Sequence, residues 1–345
     1  MTKTLPKRAV LIGAGMVART HVAACAAATN VTLHGIHSRS ADRAQTVVEG
    51  ADAPVHVYTD LAEVAADPAV DFVIVLTPPD ARAGIIRPLA EAGKHILLEK
   101  PVGRDATEAR EVIAICRDAG VTMGIVFQHR MRAASLKATE LVNGGTLGAL
   151  GLVEIAVPWW RDQAYYDEPG RGTYARDGGG VLISQAIHTI DLALSLTGPV
   201  LRVRAMATTT RFHDMEAEDF VVAGLEFTGG AAGSLVASTA SFPGGAETIT
   251  LHFDRASLHL GSGQLQVRWR DGPVDTYGEA AGTGGGANPM AFTHAWHQSI
   301  IEDFADALAE HRDPMVTGQA ALPAHDLIDA ITRSARSDHP QEITA

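Results

Sequence analysis

The stretch Arg8-Ala9-Val10-Leu11-Ile12-Gly13-Ala14-Gly15-Met16-Val17-Ala18 decides the fold. Its apolar start, residues 8–12, is short and stops at a glycine, so it reads as a first strand. The alanine-rich residues 16–28 read as a helix. A glycine turn between a strand and a helix aims main-chain N–H groups and a helix N-terminus at one point, which suits a phosphate. Gly13 permits the tight turn, Gly15 lets the backbone approach a pyrophosphate, and Ala18 keeps the helix close to the sheet. The spacing Gly-x-Gly-x-x-Ala in this setting predicts dinucleotide binding.

Outward from that motif, strand and helix signals alternate, the pattern of a parallel sheet. Residues 32–37 and 55–58 read as strands, and Asp60 with Glu63 opens a short helix in capping-box fashion. Phe72-Val73-Ile74-Val75-Leu76 is continuously apolar, as befits a strand covered on both faces. Thr77-Pro78-Pro79 stops it. A helix over 81–92 leads to the strand before Lys100, and a helix over 107–119 leads to a last strand, 121–127. The rhythm then changes. After a helix over 134–143, longer alternating strands dominate: 152–157, 201–209, 219–227, 233–240, 247–254 and 265–270. These predict a mostly antiparallel sheet with helices on one face. The expected division is a dinucleotide-binding domain over 1–126 and a substrate and oligomerisation domain over 127–345. Residues 278–289 are glycine-rich and read as a mobile loop, and helices over 292–309 and 320–337 close the chain.

Bulk properties narrow the function. A chain of 345 residues is long enough for two cores. A net charge of −12 argues against nucleic acid and against anionic membranes as partners. No apolar run reaches bilayer length, and the basic start runs straight into the first strand, unlike a signal peptide. Two cysteines, Cys25 and Cys116, make no disulfide framework, so a cytoplasmic location is expected.

Two segments supply acid–base chemistry. Lys100 stands in Glu99-Lys100-Pro101, just past the apolar residues 95–98. Strand C-termini of an open parallel sheet face the ligand crevice. A lysine there can hydrogen-bond a reacting oxygen and favour its negative charge. Gly178-Gly179-Gly180 precedes a helix expected over 181–196. On it Ile183, Ile187, Ile190 and Leu194 form a core stripe, beside a polar stripe of Ser184, His188, Asp191 and Ser195. His188 and Asp191 lie one turn apart, where a carboxylate can orient an imidazole acting as general base or acid. The bland alternative is a pair on a helix surface. No metal site is expected, because His294 and His297 have no third ligand at a persuasive spacing.

The end of the second strand reads His37-Ser38-Arg39-Ser40, with no carboxylate for a ribose until Asp42. Ser38, Arg39 and Arg43 could hold a 2′-phosphate, which favours NADP over NAD. Residues 159–174 hold Trp159, Trp160, Tyr165, Tyr166 and Tyr174 among Arg161 and Arg171. That is two of the four tryptophans and three of the five tyrosines, too dense for ordinary core filling. Such a wall suits a polyhydroxylated ring or its acidic derivative, and equally an oligomer contact.

These pieces resemble the glucose–fructose oxidoreductase/inositol dehydrogenase (Gfo/Idh/MocA) family over almost the whole chain. The matching pieces are 13–18, Glu99-Lys100-Pro101, Gly179-Gly180 through His188-Thr189-Ile190-Asp191, and His297 with Asp303-Phe304. The Trp159-Trp160-Arg161, Tyr165-Tyr166 and Arg171-Gly172-Thr173 pieces look like a branch acting on sugars or sugar nucleotides. The resemblance implies an N-terminal Rossmann domain with a parallel sheet. It also implies a C-terminal α/β domain with a large open sheet, through which a homo-oligomer, dimer or tetramer, would form. It implies catalytic roles for Lys100, His188 and Asp191. The candidate cofactor contacts are Gly13, Gly15, Met16, Val17, Ser38 and Arg39, with Arg43, Thr77, Pro78, Glu99 and Lys100. The candidate substrate contacts are Lys100, Gln128, Trp160, Arg161, Tyr165, Arg171, Ser184 and His188. The expected activity is hydride transfer between NADP or NAD and a secondary hydroxyl or ketone of a sugar, cyclitol or sugar derivative. The alternatives are a glycoside-cleaving relative that retains its cofactor, and a non-catalytic NAD(P) or sugar sensor. Two departures stand out: Ser184 replaces a frequent Asn or Asp, and Asp80-Ala81-Arg82 replaces a segment that usually carries histidine.

Overall fold

The computed structural model describes residues 5–51, 53–282, 285–286, 290 and 292–343. The chain forms two compact units. Met1–Gly103, Thr107–Gln128 and His294–Leu322 make the first; Arg104–Ala106, His129–Thr293 and Pro323–Ala345 make the second. The helices are α1 (Ala18–Ala27), α2 (Ala41–Val48), α3 (Leu61–Ala66), α4 (Arg82–Glu91), α5 (Ala106–Asp118), α6 (Ala133–Asn143), α7 (Gln163–Tyr166), α8 (Ile187–Thr197), α9 (Ala295–Glu310) and α10 (Gly318–Ser337).

In the first unit β1 (Lys7–Ile12), β2 (Val31–His37), β3 (His56–Tyr58), β4 (Phe72–Val75), β5 (His95–Glu99) and β6 (Met123–Val126) form one parallel sheet. Its order, β3-β2-β1-β4-β5-β6, is that of a Rossmann sheet, as expected. The central strand β4 is Phe72-Val73-Ile74-Val75, and each of its residues is 0% exposed. Burying such side chains contributes roughly 1.5–3 kcal/mol apiece, which is why this run needs cover on both faces. The helix α9 packs on α1 and β6 and so joins the first unit. Asn30, between α1 and β2, donates to the Glu302 carbonyl at 2.9 Å and to Asp306 at 2.6 Å.

The second unit holds β7 (Leu150–Pro158), β8 (Val200–Thr208), β9 (Phe220–Phe227), β10 (Ala232–Ser238), β11 (Thr248–Phe253), β12 (Ala256–Gly261), β13 (Gln264–Trp269), β14 (Val274–Tyr277) and β15 (Gln341–Glu342). They form a nine-stranded sheet, β14-β13-β12-β11-β7-β10-β9-β8-β15, antiparallel except where β7 meets β10. The strands β12, β14 and β15 add to those expected from sequence: β12 is the hairpin partner between β11 and β13, and β14 and β15 are edges of four and two residues. Helices α6 and α8 pack on β7 and β11–β14. Across the opposite face the register aligns Met206, Val222, Val236 and Ala156 in one row. Met206 is 54% and Val236 39% exposed, so this row is an apolar face in solvent. Of the glycine-rich stretch 278–289, residues 283–284 and 287–289 lie outside the described residues. Among the described residues, no helix is long and apolar enough to cross a membrane.

Candidate functional site

In the first unit the order β2-β1-β4-β5 sets the C-terminal strand ends side by side, and with them Ser38, Gly13, Thr77 and Lys100. Gly13 has φ +118°, and a Cβ there would meet Leu76 at 3.4 Å. A Cβ on Gly15 would meet nothing within 4 Å, so open space lies over the turn. Val17 at the N-cap of α1 makes no side-chain hydrogen bond, while the Ala18 N–H donates to the Gly15 carbonyl and the Thr20 N–H to that of Val17. Beside it Met16 is 48% exposed. This cradle fits a dinucleotide pyrophosphate. At the end of β2, Ser40 caps α2 by accepting from the Arg43 N–H, and Ser38 accepts from the Ser40 N–H. Arg39 and Arg43 are exposed, and neither has an ion pair among the described residues. Beyond β4, the Thr77 hydroxyl is buried without a hydrogen-bond partner among the described residues, next to Pro78.

Around Lys100 the surroundings are built from buried charge. The Glu99 side chain turns inward: its Oε1 lies 2.8 Å from His21 Nε2 and 3.8 Å from His297 Nε2. Burial pushes the Glu99 carboxyl up, but the His21 hydrogen bond and the neighbouring cations outweigh it and hold it below its ordinary value. Burial pushes His297 down to about 3, so it is neutral. The Glu99 carboxylate is thus turned into this cluster. The ligand atoms of His21, Glu99 and His297 lie within 4.8 Å of one another, so His297 does have partners that its spacing from His294 could not reveal. The His21–Glu99 hydrogen bond joins two of the three, and His297 stands 3.8 Å from the Glu99 carboxylate. Sequence reasoning missed His21. The stripe Ala18, His21, Cys25 at helical spacing could have placed it on the buried face of α1. Gln128 begins a 3₁₀ turn after β6 and is 6% exposed.

In the second unit the helix that bears His188 does not start as expected. Leu182–Ala186 is a π-helical turn, and α8 follows it directly. Glu218 organises that start, its carboxylate accepting from the N–H groups of Gly180 and Leu182. A Cβ on Gly180 would fall 1.8 Å from the Glu218 carbonyl, which explains the glycine. His188 is 7% and Asp191 1% exposed, so the surface-pair alternative fails. Both oxygens of Asp191 accept from Arg130, with Nε at 2.7 Å and Nη2 at 2.6 Å. A guanidinium fork matches a carboxylate better than an imidazole one turn away. Burial pushes Asp191 up to about 6 while Arg130 pulls it the other way, so it is ionised at neutral pH. The His188 ring stacks on His129, centroids 4.7 Å apart and planes at 24°. Behind it His129 Nδ1 lies 4.0 Å from Glu247, which is held by Arg132 at 2.8 Å.

The aromatic segment splits in two. Trp159 and Tyr166 are core residues, 5% and 7% exposed, and the Tyr166 hydroxyl bonds Thr239 at 2.6 Å. Tyr165 remains as a platform: Arg171 lies 4.3 Å over its ring, and Gln185 from the π turn donates to its hydroxyl at 3.2 Å. Glu168 pairs with Arg171 and with Arg176. Arg161 is 2% exposed and donates to the carbonyls of Trp160 and Gly286. His213, bonded to Asp219 at 2.7 Å, also bonds the Arg161 carbonyl at 2.8 Å and so fixes the Trp160-Arg161 bend. Ser184 sits within the π turn and is half-buried.

Comparison with known proteins agrees with this geometry. The model of the GFO/IDH/MocA oxidoreductase family with its NAD-binding Rossmann fold matches residues 7–127, and that of the GFO/IDH/MocA C-terminal domain matches residues 135–259. The uncharacterized oxidoreductase YrbE of Bacillus subtilis is 28% identical over an alignment that spans 64% of this chain and 64% of its own length. The 1,5-anhydro-D-fructose reductase of Ensifer adhaerens is 26% identical over 96% of this chain and 97% of its own. The WlbA dehydrogenase of Bordetella pertussis, solved with NADH and UDP-GlcNAcA, superposes with a TM-score of 0.83 at 25% identity over 99% of both chains.

Proposed function

The chain belongs to the GFO/IDH/MocA oxidoreductase family, and from that premise we propose that it oxidises a secondary hydroxyl of a sugar, cyclitol or sugar derivative, or reduces the matching ketone. The observation that carries the reading is Lys100, set directly after β5 on the same sheet edge as the glycine cradle. Bound nicotinamide supplies the hydride chemistry. The protein's residues handle the proton. Lys100 donates a hydrogen bond to the reacting oxygen and favours its negative charge. His188 takes the hydroxyl proton in oxidation and returns it in reduction. Asp191, locked to Arg130, acts as a positioning residue that steadies the helix bearing His188. Trp160, Tyr165 and Arg171 offer aromatic faces and donors to a polyhydroxylated ring, and Gln128, Arg161 and Ser184 complete the substrate set. A relative named as a sugar reductase along 97% of its length supports that substrate class.

NADP is the favoured cofactor, because Arg39 just past β2 and Arg43 in α2 stand exposed and the first carboxylate after the strand is Asp42. The exposed apolar row on the second sheet supports a homo-oligomer formed through that face. Cys25 and Cys116 are both buried and free, which accords with a reducing cytoplasm. A panel of polyols, sugars and sugar acids with NAD and NADP separately, read by nicotinamide absorbance, tests the reading. Reduction of NADP by at least one polyol is expected, and Lys100→Ala should lower kcat by at least about 100-fold with cofactor affinity nearly unchanged. Full turnover in that variant would refute the assignment.

A further inference from the structure

Arg82 opens α4 at the place where the sequence departs from the family's usual histidine, and its side chain is 2% exposed. Its Nε and Nη2 donate to the Thr77 carbonyl at 3.1 and 3.0 Å, and Nη2 donates to the Lys100 carbonyl at 3.3 Å. One planar group thus ties the residue that follows β4 to the residue that follows β5. Thr77 in turn lies against the glycine cradle, since a Cβ on Gly13 would meet its Cγ2 at 3.5 Å. A buried cation is costly unless its site is designed around it. Here two carbonyls and the nearby Glu99 charge compensate it, and burial brings the group down only to about 9, so it stays charged at neutral pH. A neutral residue would satisfy the core at lower cost. The retained charge therefore points to a task.

We propose that Arg82 is a positioning residue that holds the Lys100 main chain in register with the dinucleotide cradle by bridging the Thr77 and Lys100 carbonyls. This rests on the role given to Lys100 above. An ammonium can donate to two carbonyls, as Lys94 does to those of Asp67 and Val70, but it lacks the rigid plane that holds Arg82 Nε and Nη2 together on the Thr77 carbonyl, and a neutral imidazole offers a single donor. Without the bridge, Lys100 is still present but loses its fixed distance to the cofactor, and a displacement of about 1 Å is enough to cost on the order of 100-fold in rate.

The experiment uses the full-length protein with NADPH. Arg82→Lys and Arg82→His are compared with wild type for kcat, KM, NADPH affinity by fluorescence and thermal midpoint, alone and combined with Lys100→Met. If Arg82 acts through Lys100, Arg82→Lys lowers kcat 10- to 100-fold with KM and NADPH affinity within threefold, and adds nothing once Lys100 is gone. A fully multiplicative loss in the double variant, or unchanged kcat, overturns the proposal. A second measurement does not depend on turnover: competitive acetylation of Lys100 against the surface Lys137, read by peptide mass. Its ratio should shift at least threefold in Arg82→Lys, and an unchanged ratio overturns the proposal even if no substrate is found. Absence of turnover in wild type with a shifted ratio would instead refute the dehydrogenase reading alone. If Arg82→Lys does not fold, Arg82→His carries the same comparisons.

Discussion

Two buried carboxylates, Glu99 in the first unit and Asp191 in the second, meet burial in different ways. Glu99 is held below its ordinary value by a histidine hydrogen bond and surrounding positive charge, with a neutral His297 close by. Asp191 rests against one guanidinium in a fork and is pushed up to about 6. The first arrangement spreads its compensation over a histidine hydrogen bond and nearby charge, whereas the second balances one full charge against another. The lesson is that removing one partner costs most where a single buried charge faces a single other.

The largest expected effect breaks the second arrangement. Asp191→Ala leaves Arg130 without its counter-charge and should cost about 3–5 kcal/mol of stability, measured by urea midpoints. A loss under 1 kcal/mol would mean the pair is as dispensable as a surface bridge.

Acid sharpens the contrast, because the two regions carry opposite signs. His297 is depressed from its ordinary 6.5 to about 3, so the unfolded chain binds that proton first. Its contribution is full above pH 6.5 and is lost as pH falls toward 3, about 2 kcal/mol by pH 5. Asp191 is raised, so its ionised form is less favoured in the folded state, and that cost is relieved as pH falls below about 6. His297→Gln should therefore flatten the drop in stability between pH 7 and 5. An equally steep drop in the variant would remove His297 as its source.

The effect at Glu99 is smaller than that at Asp191. Glu99→Gln keeps an acceptor for His21 but removes a charge that helps compensate Arg82, for a cost of about 1.5–3 kcal/mol. A cost as large as that at Asp191 would erase the distinction between the two regions.

Much of this was legible in the sequence. The apolar run ending at Gly13 gave β1 within one residue, and Phe72-Val73-Ile74-Val75 announced a strand covered on both faces. Lys100 and His188 stood out because a strand end and a glycine-led helix are local features. What escaped was tertiary. Asp191 was matched with its neighbour one turn away, but its partner Arg130 lies 61 residues off. Arg82 registered only as a departure, since nothing in its neighbours shows which carbonyls it reaches. The return of α9 to the first unit was equally hidden, because an amphipathic stripe specifies burial and carries no address. The spacing of Ile183, Ile187 and Ile190 suits an ordinary helix, and the wide turn before α8 left no trace because nearly every position around it is buried.

That wide turn lets the chain carry one residue more than a regular helix without turning its two ends against each other. An α-helix advances about 100° per residue, and a turn closed five residues on holds roughly one residue more in the same rotation. Deleting Ala186 would therefore return the segment to a regular helix and leave the direction of His188 relative to the Gly180 end nearly unchanged. What the deletion takes away is the local widening, and with it the placement of Gln185 against the Tyr165 hydroxyl. Alignments that carry this helix elsewhere must therefore admit a one-residue gap between Gly180 and His188.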